Sequence, residues 1–245
     1  MIVLHSHKKF LSNFIGLVLV LQFFSNQLPI NAANQSIAPL FEKALETSKK
    51  GEFQNALILW NKVLELSPTN SAALSNRGNI RLTLGDYEGS ISDQTMAIEY
   101  SPNELDPYLN RGIAEEALNL FEEAEKDYLW ILKKNPNDSS ALYNLGNLMA
   151  FKGNLSQAQN LYRKAVLARS DFPMARSSLA LISYELGDLK EAEIEFRSII
   201  RKYPMFADSR AALSALLWRQ GSIGEAESNW AAAIGLDNRY MQNEW

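Results

Sequence analysis

A 34-residue period runs through this chain and constrains its fold more than any other feature. Gly51, Gly85, Gly153, Gly187 and Gly221 share one grid, with Asn119 in its remaining slot. Pro68, Pro102, Pro136 and Pro204 share a second, with Ser170 and Asn238 in the other two places. Periods of roughly 20 to 50 residues specify stacked supersecondary units rather than one conventional core. Glycine and asparagine tolerate the left-handed conformation that ends a helix, and proline stops the next one. Each unit is therefore predicted to be helix A, a tight turn, helix B and a short turn.

The side chains between these markers repeat as well. Five residues after each turn residue stands a small one: Ala56, Ser90, Ala124, Ala158, Ala192 and Ala226. Twelve residues before these lies a second small set, Ala44, Gly78, Gly112, Gly146, Ala180 and Ser214. Small residues on both helices let the backbones approach closely. Helix B opens on Phe53, Tyr87, Phe121, Leu155, Leu189 or Ile223. Seven residues on, along the same face, come Trp60, Tyr128, Tyr162, Phe196 and Trp230. Gln94 breaks that column and predicts looser packing in the second unit.

With this period, these two grids and the small and aromatic columns, the chain resembles the tetratricopeptide-repeat family. Six repeats fall at 37–70, 71–104, 105–138, 139–172, 173–206 and 207–240, with a short tail at 241–245. The resemblance implies an all-α fold, a right-handed superhelical solenoid of antiparallel helix pairs whose A helices line a concave groove. Pro39 and Lys43 make the first repeat atypical, and Tyr240 with Trp245 is expected to fold back on the last one as a cap, docking of a partner being the alternative. The segment "ALLWRQGSIGEAESNWAAAIGLDNRYMQNEW" is also similar to the ends of repeat proteins of the thylakoid lumen of plants and cyanobacteria. That likeness implies a photosynthetic source and a role in assembling thylakoid complexes.

The first 33 residues stand outside the period and read as a signal peptide. His5, His7, Lys8 and Lys9 precede an apolar run from Phe10 to Phe24, then "PINAAN", whose Ala32 and Ala33 suit a processing site. An uncleaved anchor is the alternative, but the run holds Ser12, Asn13 and Gln22 and falls short of the ~20 apolar residues that span a bilayer. The expected location is exported, in a periplasm or thylakoid lumen. Cleavage removes two of the 24 basic residues and none of the 28 acidic ones, so a net charge of −4 becomes −6. An acidic surface without a basic stripe argues against nucleic acid and anionic membranes. With no cysteine, the exported chain depends on packing rather than disulfides.

In the family's geometry the sixth position of helix A points into the groove. Here it reads Glu42, Asn76, Asn110, Asn144, Ser178 and Ala212. A side-chain amide offers donor and acceptor together, so an asparagine ladder can pair with the backbone of an extended peptide whatever its side chains. Asn79 and Asn147 extend the row one turn onward, though Ile113 interrupts it, and Leu109, Tyr143, Phe151 and Tyr184 add apolar surface. The plainer reading is that these asparagines are a family background without a ligand. Chaperone-binding members clamp a terminal carboxylate with basic residues at positions held here by Ser75, Asp106 and Asn110, so that clamp is missing.

Arg77 and Arg111 each have an aspartate sixteen residues on, Asp93 and Asp127, whereas the fourth repeat has Leu145 and Leu161 at the same places. This pattern predicts structural ion pairs joining helix A to helix B, the guanidinium fork matching a carboxylate. Without histidine or cysteine in the mature chain there is no histidine base, thiolate or zinc set. Glu115 with Glu116, and Glu122 with Glu123, read as solvated faces. No enzyme activity, metal or cofactor is expected. The function implied is a protein-interaction module, an exported adaptor, scaffold or assembly factor that binds an extended segment of a partner. A structural oligomer using its terminal repeats, or an accessory subunit anchored by an uncleaved N-terminus, are the alternatives.

Overall fold

The computed structural model describes residues 37–241. The signal segment and Trp245 lie outside the described residues. Those described form twelve α-helices and one 3-10 turn, with no strand among them. They fall into two compact units. Residues 37–136 contain α1 (Ala38–Lys49), α2 (Phe53–Leu66), α3 (Ser71–Thr83), α4 (Tyr87–Tyr100), α5 (Leu105–Ala117) and α6 (Phe121–Lys134). Residues 137–241 contain α7 (Ser139–Phe151), α8 (Leu155–Ala168), α9 (Pro173–Glu185), α10 (Leu189–Lys202), α11 (Ala207–Arg219), α12 (Ile223–Leu236) and the 3-10 turn Asn238–Met241. Odd-numbered helices are the A helices of the repeats and even-numbered ones the B helices. None is long and apolar enough to cross a membrane.

The turns explain the first grid. Gly153 sits at φ 80° and Asn119 at 61°, and the other grid glycines share that region. The residue after each grid position donates its N–H five residues back, closing helix A. Glu52 reaches Thr47, Asp86 reaches Arg81, Leu120 reaches Glu115, Asn154 reaches Met149, Asp188 reaches Ser183 and Ser222 reaches Leu217, at 2.8–3.2 Å. This bond satisfies a carbonyl that the helix end would orphan. Some helix starts carry a side-chain cap: Asn70 accepts from the Ala73 N–H, and Asp138 from those of Ser140 and Ala141.

Helix A meets helix B at the small and aromatic columns. A Cβ built on Gly112 would lie 2.6 Å from the Tyr128 ring, and one on Gly146 would lie 2.7 Å from the Tyr162 ring. The polar tips of these buried rings reach back to helix A. The Trp60 indole N–H donates to Ser48 Oγ, the Tyr128 hydroxyl to Glu116, and the Tyr162 hydroxyl to Asn147. Gln94, in place of a ring, is fully buried and fills the same gap with an amide. Its Nε2 donates to the Ser75 carbonyl and to Asn79 Oδ1, at 3.0 and 3.1 Å. The second repeat is thus closely packed through polar contacts rather than loosened, although Gln94 Oε1 has no hydrogen-bond partner.

Successive repeats are joined at recurring positions. The fourth helix A residue donates to the carbonyl of the preceding proline slot: Tyr108 to Pro102, Arg176 to Ser170 and Arg210 to Pro204, each at 3.2 Å. In residues 137–241, Arg163 of α8 pairs with Glu191 of α10, and Arg197 of α10 pairs with Glu225 of α12. Two of the core clusters likewise draw on two repeats each. Phe41, Trp60 and Val63 cluster with Leu74, Ile80 and Ala97, while Phe196 and Ala192 cluster with Leu213, Leu216 and Leu217. At the last repeat Tyr240 is buried against Trp230, ring centroids 5.6 Å apart, and its hydroxyl donates to Asp208. Tyr240 therefore caps α12.

Two glycines of the fourth repeat separate backbone strain from crowding. Gly153→Ala meets no atom within 4 Å and is expected to cost only the left-handed conformation, ~1 kcal/mol. Gly146→Ala must displace the Tyr162 ring and is expected to cost ~2–3 kcal/mol. Urea midpoints of the two variants compared with wild type test this order.

Candidate functional site

The A helices of one unit lie side by side, α1 touching α3 and α3 touching α5. Their sixth positions carry Asn76 and Asn110. Asn76 is fully buried: its Nδ2 donates to the Ala72 carbonyl at 2.9 Å, and its Oδ1 has no partner. Asn110 is 3% exposed. In the other unit Asn144, on α7, is 6% exposed. Among the described residues the amides of Asn110 and Asn144 enter no hydrogen bond.

The other residues expected in the groove are engaged inside their own repeats. Asn79 accepts from Gln94, and Asn147 accepts from the Tyr162 hydroxyl at 2.9 Å. Tyr143 is 2% exposed and packs on Tyr162 and Phe172, with ring centroids 5.8 and 5.1 Å away. These three side chains serve packing: the aromatic or amide at the helix B position opposite them needs a partner once it is buried. Leu109 and Ile113 are buried, Phe151 is exposed, and the Arg219 guanidinium lies over the half-buried Tyr184 ring.

The arginines lie between helices. Arg77 forks Asp93 through Nε and Nη2, at 2.8 and 2.7 Å, and its Nη1 donates to Asn61 on the preceding B helix. Arg111 forks Asp127 at 2.7 and 2.8 Å and donates to Thr95, 34 residues beyond Asn61. Each guanidinium thus ties its own helix B to that of the repeat before. The Asp93 side chain is 2% exposed and also meets Arg81 at 3.0 Å. In the fourth repeat Leu145 and Leu161 are buried at the equivalent positions. One repeat satisfies the A–B seam with charge and another with hydrocarbon.

Glu115 and Glu116 do not form a solvated face, unlike Glu122 and Glu123, which are exposed. Glu115 is 7% exposed, and Glu116 accepts from Tyr128. Burial pushes both carboxyls up to about 7, with Asp127 adding to the effect at Glu115 while Arg111 opposes it. Asp127 holds the Arg111 guanidinium above its ordinary value. Sequence reasoning missed this pair because it ranked the glutamates by adjacency. Aligning the column one turn past each arginine, Arg81 against Glu115, would have shown the charge reversal. No group of acidic residues suited to a metal ion occurs among the described residues.

These helix pairs, with their 34-residue turns and small-to-aromatic seams, define a helical-repeat solenoid. The tetratricopeptide-repeat family models match residues 128–160 and 150–205. The solved structures it is similar to include a tetratricopeptide repeat protein from Parabacteroides merdae, at 23% identity and TM-score 0.66, covering 83% of this chain and 80% of that one. They include YrrB, a TPR protein with an unusual peptide-binding site, at 18% identity and TM-score 0.60, covering 74% and 94%. PilW, a type IV pilus biogenesis factor, matches at 20% identity and TM-score 0.74, covering 86% and 97%. A search of curated proteins finds no match. Tetratricopeptide-repeat models thus match residues 128–205, and the described residues share the fold of solved tetratricopeptide-repeat proteins, one that supports a protein-interaction scaffold.

The leucines of the fourth repeat provide the test of the ion pair. Asp93→Ala leaves Arg77 and Arg81 facing a buried void and is expected to lower stability by ~3 kcal/mol. The double change Arg77→Leu with Asp93→Leu is expected to recover most of that loss, as read from urea unfolding.

Proposed function

We propose that the chain is an exported, non-enzymatic adaptor that holds an extended segment of another protein along its A helices. The observation that carries this reading is unused hydrogen-bonding capacity. The amides of Asn110 and Asn144 make no bond, whereas Asn76 is fully buried with its Nδ2 on the Ala72 carbonyl, and Asn79 and Asn147, one turn on, are engaged. Buried polar groups are ordinarily satisfied, and a peptide backbone offers both the donor and the acceptor that these amides lack.

The likeness to YrrB and PilW supports peptide binding and complex assembly as the kind of role. Site chemistry supports a non-enzymatic one: the polar clusters described hold the repeats together rather than converging on an open cleft. The acidic balance favours a protein partner over nucleic acid. The N-terminal segment directs the chain to a periplasm or thylakoid lumen, and it is the only part proposed to meet a membrane. A mature N-terminus near Ala33 is the expected result of sequencing the purified protein; retention of Phe10 to Phe24 would convert the adaptor into an anchored subunit.

Asn110 is the ladder residue tested, because Asn76 in the same unit is fully buried. The Asn110→Ala variant is expected to keep the wild-type melting profile while losing partner capture roughly tenfold or more in crosslinking from the native extract. Unchanged capture would remove the peptide-groove reading.

A further inference from the structure

Repeats 2 and 3 differ at one helix A position, and the difference reverses the charge balance of the interior. One turn past Arg77 stands Arg81, 3.0 Å from Asp93 and 3.5 Å from Asp86. One turn past Arg111 stands Glu115, 3.8 Å from that guanidinium. Asp93 therefore faces two cations, whereas Arg111 is shared between two carboxylates. Asp127 takes both prongs of the fork, and Glu115 Oε2 is left buried without a hydrogen-bond partner. Glu116, the next residue, has the neutral Tyr128 hydroxyl as its hydrogen-bond donor.

The groups around this pair come from each packed helix. On α5 itself there is Arg111. From α6 come Glu123, Lys126, Asp127 and Tyr128. From α4 the uncharged Thr95 hydroxyl reaches Arg111, and on α3 Arg81 is held by Asp86 and Asp93. Arg111 is thus the one close cation for both Asp127 and Glu115 in a desolvated seam, while Glu116 is buried beside the Tyr128 hydroxyl, and unpaired charge there is costly.

We propose that repeat 3 is a proton-operated joint: Glu115 and Glu116 are protonated when α5 is tightly seated on α6, and loss of those protons loosens that seam. Protonation removes the excess negative charge and makes each carboxyl a donor. Both carboxyls are pushed up to about 7 from an ordinary value of 4.5, with burial the largest cause. Between 4.5 and about 7 the folded repeat therefore keeps protons that the unfolded chain releases. The stabilisation is complete below that window and is lost as pH rises through about 7. Exposed carboxyls such as Glu46, Asp171 and Glu225 are shifted down by cationic or hydrogen-bonding partners and act in the opposite sense. The joint lies in the helix that carries Asn110, and the inference does not depend on what that residue binds.

Glu115→Gln with Glu116→Gln mimics the protonated pair in the full chain. Its Tm, followed by circular dichroism, is expected to match wild type near pH 5 and to exceed it by roughly 5 °C at pH 8. Amide exchange, corrected for intrinsic rate, is expected to show Leu105–Lys134 of wild type better protected at pH 5.5 than at pH 8, and this difference is absent from the variant. Parallel pH profiles of Tm for the two proteins would overturn the proposal. So would equal protection of this segment of wild type at both pH values.

Discussion

The contact on which the rest of this structure depends is the close approach of helix A to helix B. At Gly112 and Gly146 there is no room for a methyl group between the backbone and an aromatic ring. That closeness buries the ring, and burial forces its polar tip to find a partner on helix A. Ser48, Glu116 and Asn147 supply it in three repeats. The identity of the helix B residue therefore decides which helix A residues are engaged and which remain available to a ligand.

The same seam accommodates charge in three ways. Repeat 2 surrounds a buried aspartate with two arginines, repeat 3 places one arginine between two carboxylates, and repeat 4 uses leucine on both sides. The backbone hardly registers the change, since the closing bond of helix A recurs at all these turns. Because each repeat touches only its neighbours, such local differences stay local, and stability is distributed repeat by repeat. An unfavourable charge balance in repeat 3 can thus be tolerated without loss of the other seams.

How much of this was legible in the sequence follows from the range of each interaction. The turns were legible because a left-handed residue is required at a fixed place, and Asn119 fills it as the glycines do. The Arg77–Asp93 and Arg111–Asp127 contacts lie at one constant offset and can be found by comparing repeats. The groove was harder to read. Whether an asparagine on helix A is free depends on the residue opposite it, so Asn79 is engaged because Gln94 stands there, and Asn147 because Tyr162 does. The Arg163–Glu191 and Arg197–Glu225 pairs join different repeats at an offset of 28, which a search within single repeats passes over.

Gln94 shows why a departure from the repeat pattern need not weaken it. An aromatic ring there would fill the gap beside Gly78 with hydrocarbon. The amide fills the same space and ties α4 to two points on α3, the Ser75 carbonyl and the Asn79 side chain. What it leaves is a buried acceptor, Gln94 Oε1, in the same repeat as the unpartnered Ser75 and Asn76 oxygens. A buried orphan acceptor costs free energy comparable to a lost hydrogen bond, so repeat 2 holds its packing density but not the full satisfaction of its polar groups. Two of these orphan oxygens lie on α3 and one on α4, all enclosed in the A–B seam, so the imbalance left by departure from the aromatic column is a matter of packing within the repeat.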